Sequence, residues 1–161
     1  MRTLLSDEIN RSIAIVRSSE EVIPRWRIIT PNGDFKLMTR FTETVANRER
    51  ITRLLAGFMA WKLASGYVMA GESWLGPAGA RNDEALVAIG VTRSSVLGAM
   101  RRIYRKPGLA FGELEWLEES AVDGSYRALL PNAGSAIDAE TMRDLETAFG
   151  AGGEFEIDTI N

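Results

Sequence analysis

Strand pairs arriving as hairpins, with amphipathic helices between them, predict an α+β fold: an antiparallel or mixed sheet with about four helices packed on it. Three observations carry this. Asn32-Gly33 separates two strand-like runs, a strong short-range hairpin signal. The regular alternation of strands and helices that a doubly wound parallel sheet needs is missing. The 161 residues are 45% hydrophobic and 25% charged, which suits a single globular domain over 1–161 with a sizeable core.

Each element has a local reason. Ser6-Asp7-Glu8 reads as an N-cap followed by acids, and Ile9, Ile13 and Val16 follow at helical spacing, predicting a helix over 7–20 that Pro24 terminates. Trp26–Pro31 and Asp34–Thr39 flank Asn32-Gly33, which takes positive φ cheaply and so predicts a type I′ hairpin turn. Thr42 or Thr44 caps a second helix reaching about Ala64. Its apolar stripe is Ile51, Leu54, Leu55, Phe58, Met59 and Trp61, with Arg48, Glu49, Arg50 and Arg53 in its exposed first turns and Ser65-Gly66 as its stop. Tyr67–Trp74 and Glu84–Val91 read as strands around a loop containing Gly76, Pro77, Gly79 and Asn82. Thr92 or Ser94 opens a third helix ending near Lys106, before Pro107-Gly108. Leu114–Glu119 and Tyr126–Leu130 suggest a second hairpin through Asp123-Gly124. Asp138 caps a last helix through Met142, Leu145 and Phe149 to Gly150, and Phe155–Ile160 closes as a strand.

Composition excludes several kinds of chemistry. The chain has no histidine and no cysteine, so imidazole-based triads, thiolate nucleophiles, disulfides, zinc and iron–sulfur sites are not expected. No metal site and no cofactor are predicted: there is no phosphate-binding P-loop, and Gly150-Ala151-Gly152-Gly153 has Phe155 where a dinucleotide fingerprint needs glycine. Gly71-Glu72-Ser73-Trp74-Leu75 resembles a nucleophile elbow but lacks its second glycine and any base partner.

Leu54–Gly71 is apolar and about a bilayer long. Lys62 at its centre, worth roughly 2.5–3.5 kcal/mol against insertion, and Ser65-Gly66 argue against a membrane partner. Only two adjacent leucines precede Asp7, too short a core for an export signal, so a cytoplasmic location is expected. The arginine-over-lysine bias, 16 to 3, suggests a bacterial or phage source.

Charge is uneven. The net −3 divides into +7 over residues 1–106 and −10 over 107–161, so either one face meets an anionic partner or the two halves neutralise each other. Arg93, Arg101, Arg102, Arg105 and Lys106, with Tyr104 among them, put five cations on the expected third helix with no acid between them. Such a surface tracks a nucleic-acid phosphate backbone; alternatively it pairs with Glu113, Glu115, Glu118, Glu119 and Asp123. Glu72 is the best single candidate for catalysis. On a strand it shares a face with Val68, Ala70 and Trp74, where a carboxylate pairs with an arginine such as Arg81 or Arg93, has a raised pKa or sits at the rim. Gly57, Ala60 and Ala64 form a small-residue track that suits a helix–helix dimer contact or packing onto the sheet, and Trp26, Trp61, Trp74 and Trp116 are expected in the core.

With these side chains, the expected role is a non-enzymatic interaction or accessory protein working through a protein partner or self-association. Nucleic-acid binding or regulation through the basic helix 93–106 is the alternative, and a carboxylate-dependent enzyme centred on Glu72 the third reading.

Overall fold

The computed structural model describes residues 1–18, 21–38, 44–75, 83–122, 125–132, 135–150 and 155–160. The expected loop at 76–82, the candidate cap Thr42, Arg81 and the Asp123-Gly124 turn lie outside them.

The elements run α1 (Arg2–Arg17), β1 (Arg25–Ile29), β2 (Asp34–Met38), α2 (Val45–Trp61), β3 (Gly66–Leu75), β4 (Asp83–Thr92), β5 (Val96–Tyr104), β6 (Ala110–Phe111), β7 (Glu115–Leu117), α3 (Ser125–Leu129), α4 (Ala139–Phe149) and β8 (Glu156–Ile160), with a 3-10 turn at Glu119–Ala121 before α3. The strands form one sheet in the order β6-β5-β4-β3-β1-β2-β8, with β7 also on β5, and every pairing is antiparallel. The fold class is therefore α+β, with four helices on an antiparallel sheet.

Helices cover both faces. Strand alternation sends Val68 and Ala70 of β3, Leu86 and Ala88 of β4, and Ala99 and Ile103 of β5 toward α1, where they meet Leu5, Ile9, Ile13 and Val16. The opposite set, including Trp26, Ile28, Leu37, Tyr67, Ile89 and Val91, meets Ile51, Leu54, Leu55 and Phe58 of α2 and Leu145 and Ala148 of α4. Of the small-residue track, Gly57 lies against α4 of the same chain: a Cβ there would sit 3.3 Å from Leu145 and Thr141. Among the described residues no helix is long and apolar enough to cross a membrane.

Two caps match their sequence signals. The Thr44 hydroxyl accepts from Asn47 N–H at 3.3 Å, and the Asp138 carboxylate accepts from Thr141 N–H at 2.7 Å. Five expectations are corrected. α1 spans Arg2–Arg17 rather than 7–20, so Asp7 and Glu8 lie inside it. Glu8 is buried because Arg25 of β1 reaches it at 3.4 Å while also donating to Ser12 Oγ at 2.6 Å. The β1–β2 turn is not type I′: Gly33 has φ 109° and Asn32 is not left-handed, the loop being held by Thr30 Oγ1, which accepts from Asn32 N–H. The helix expected over 92–106 is strand β5. Both faces of Val96–Met100 are covered, so the run shows no polar alternation and its apolar length reads equally as helix. The second hairpin does not form, since β7 pairs β5 and Tyr126 lies in α3. Of the tryptophans only Trp26 is core; Trp61, Trp74 and Trp116 are 38%, 49% and 37% exposed.

Candidate functional site

Glu72 stands on β3 where sequence alternation puts it, on the α1 face beyond Val68 and Ala70. Its partner is neither Arg81 nor Arg93. Arg105, carried across the sheet just past the end of β5, donates to Glu72 Oε1 at 2.9 Å and to Glu84 of β4 more closely still. The hydrogen bond to Glu84 is the main cause raising the Arg105 guanidinium pKa above its ordinary value, with the Glu72 charge adding to it. One cation between two carboxylates is a structural clamp over three strand ends. It engages the Glu72 carboxylate in an ion pair, and among the described residues no group of three acids is arranged to hold a metal.

The strand also disperses the basic set. Consecutive strand residues point to opposite faces, so Arg101 turns toward the α1 side and Arg102 away from it. Arg102 pairs with Asp83 at 3.0 Å and with Glu115 at 3.5 Å. Arg93 lies in the β4–β5 turn and donates to the Ala64 carbonyl at 3.4 Å, while Lys106 is exposed ahead of Pro107. The five cations do not share a helix face. Among the described residues their carboxylate partners come chiefly from β3 and β4, with Glu115 the one supplied by the acidic C-terminal third.

A different feature emerges at the C-terminal end of α2. The helix closes in a Schellman arrangement: Ala64 N–H donates to Met59 O at 2.8 Å and Leu63 N–H to Ala60 O at 3.2 Å. This motif needs a left-handed residue at the position after the cap, normally glycine. Here Leu63 holds it, at φ 55°. The stop expected at Ser65-Gly66 is thus one turn early, and Gly66 serves a different need: a Cβ there would press to 2.6 Å from the Val91 carbonyl of β4. The left-handed region costs a leucine about 1–2 kcal/mol. Ala64 and Met59 on the inner side are buried, whereas Leu63 is 63% exposed.

Trp61 and Lys62 complete the projection. The Lys62 ammonium stacks 3.5 Å from the Trp61 ring centroid and lies within 5.8 Å of Phe58 and 5.5 Å of Phe35, and Phe58 meets Trp61 edge to face. These contacts hold the indole from two sides while leaving the residue 38% exposed. Arg93, bonded to the carbonyl of the residue after Leu63, sets a second cation beside it. Among the described residues neither Lys62 nor Arg93 has a carboxylate partner. Trp61 was visible in the sequence only as part of an apolar stripe, and nothing local marks Leu63 as left-handed.

No protein-family model, no curated protein and no solved structure matches the chain.

Proposed function

We propose that the chain is a cytoplasmic, single-domain, non-enzymatic interaction or accessory protein that grips a protein partner with the C-terminal end of α2. The observation supporting this reading is Leu63: a residue with a large apolar side chain occupies a left-handed position that glycine would fill without strain, and that side chain then points into solvent. Folding gains little from an exposed leucine, so the strain is accounted for by something the leucine meets outside the chain. Trp61, of the residue type most enriched at binding hot spots, stands two residues away on a cation-stacked ring.

The projection is convex and basic-flanked, which suits a partner offering an apolar pocket bordered by carboxylates. Lys62 and Arg93 then find the opposite charges they lack within the described fold. A photo-crosslinking amino acid placed at position 63 in the native host tests the reading, with position 109 on the exposed β5–β6 connection as control. A discrete adduct at 63, absent at 109 and lost with Trp61→Ala, is expected. Equal adducts at both positions, or none at 63, would remove the reading. An adduct with a second copy of the chain would assign the same surface to self-association.

A further inference from the structure

On the same face as α2, but toward that helix's N-terminal half, the sheet carries a cleft of about 520 Å³. Its floor is Met69 and Gly71 of β3 with Val87 of β4, and its walls are Trp26 of β1, Tyr126 and Leu129 of α3, and Arg48 of α2. The volume lies in the range of small-molecule sites, roughly 300–1,000 Å³, which are apolar with a few placed polar groups. Three features make this a built site rather than a packing gap.

The first is the floor. Gly71 leaves its share of the cleft unfilled although a side chain is sterically allowed, because an added Cβ would meet nothing nearer than Pro24 at 3.8 Å. The second is the wall. The fully buried Tyr67 hydroxyl donates to the Tyr126 carbonyl at 2.5 Å and thereby pins α3 over the cleft. The third is the polar complement. Among the described residues, Arg48 at the exposed mouth has no carboxylate partner, and the Trp26 indole N–H, in a residue 4% exposed, is buried with no acceptor. A buried unmet donor costs about 1–3 kcal/mol, and water does not reach this one. Its cross-strand neighbour Met69, an unbranched and adaptable side chain, lies beside it on the cleft floor. Glu72, also at the rim, pairs its carboxylate with Arg105, so among the described residues lining the cleft the one charge without an opposite partner is the Arg48 cation.

We propose that this cleft binds a small apolar carboxylic acid, its hydrocarbon body on Met69, Gly71, Val87 and Leu129 beside Trp26 and its carboxylate at Arg48. This is independent of the partner surface at Leu63, which lies at the other end of α2.

The test is titration of the full-length ¹⁵N-labelled protein with decanoate below its micelle-forming concentration, followed at the indole N–H signals. Trp26 is assigned by the signal missing in Trp26→Phe. Decylammonium and decanol serve as matched probes without the negative charge. Decanoate is expected to move the Trp26 signal saturably and to bind about tenfold or more tightly than either matched probe, the worth of one charge-assisted hydrogen bond. Arg48→Glu, at an exposed position that does not threaten folding, abolishes that preference. Gly71→Val fills the floor and weakens all three probes. Equal binding of decanoate and decylammonium, or an Arg48→Glu variant that keeps the preference, would overturn the proposal even if Gly71→Val failed to fold.

Discussion

Replacing Leu63 by glycine and by alanine separates backbone strain from side-chain contacts. Both variants delete the leucine side chain, so whatever its partly covered surface contributes is lost equally. They differ in the backbone alone: alanine keeps the left-handed penalty at φ 55°, about 1–2 kcal/mol, and glycine relieves it at about 0.5–1 kcal/mol of extra chain entropy. Glycine at 63 is therefore more stable than alanine by about 0.5–1 kcal/mol, the reverse of their order inside a helix. For a chain of this size that is a melting difference of about 1–4 °C. Urea unfolding of the two variants measures it, read as a change in midpoint at constant slope. Alanine equal to or better than glycine would show that Leu63 is unstrained, and the main reason for assigning it an external role would disappear.

Three further outcomes follow from the packing. Glu8→Ala strands the Arg25 guanidinium, whose pKa burial already lowers, and is expected to lose about 3 kcal/mol in denaturant unfolding; a Glu8→Met/Arg25→Met double variant recovers most of it. Burial pushes the Tyr67 pKa well up, so its neutral form is bound into the fold. That stability is complete below about pH 10, the unfolded value, and is lost above it at up to about 1.4 kcal/mol per pH unit, a slope that Tyr67→Phe reduces in alkaline melts. Arg105→Ala, which breaks two partly exposed pairs, costs less than about 1 kcal/mol, and neither it nor the parent protein shows a salt-dependent shift with duplex probes.

What could be read in the sequence was whatever depends on near neighbours. Thr44 and Asp138 cap helices because a hydroxyl or carboxylate three residues before an unpaired N–H acts locally. β3 and β4 were legible because turn residues bound them, and Glu72 was correctly placed on the face of Val68 and Ala70. β5 was not. Covered by α1 on one side and by the α2 side's core on the other, it carries no alternation, and Arg101 and Arg105 four residues apart imitate a helix. The partner of Glu72 lies 33 residues away, beyond what spacing can reveal. α3 was misread because Tyr126 and Leu130 look like strand residues until tertiary contacts turn Ser125–Leu129 into a short helix. Leu63 had no signal at all, since a left-handed leucine runs against propensity and only the closing hydrogen bonds of α2 disclose it.

The partner surface itself is tested most directly by calorimetric titration of the purified protein with whatever partner crosslinks at position 63, comparing the parent with Leu63→Gly. Leu63→Gly is expected to remain folded and to bind at least about tenfold more weakly, with the residual affinity falling further in Trp61→Ala. Affinity unchanged by Leu63→Gly in a folded protein would contradict the assignment of the α2 terminus as the binding surface.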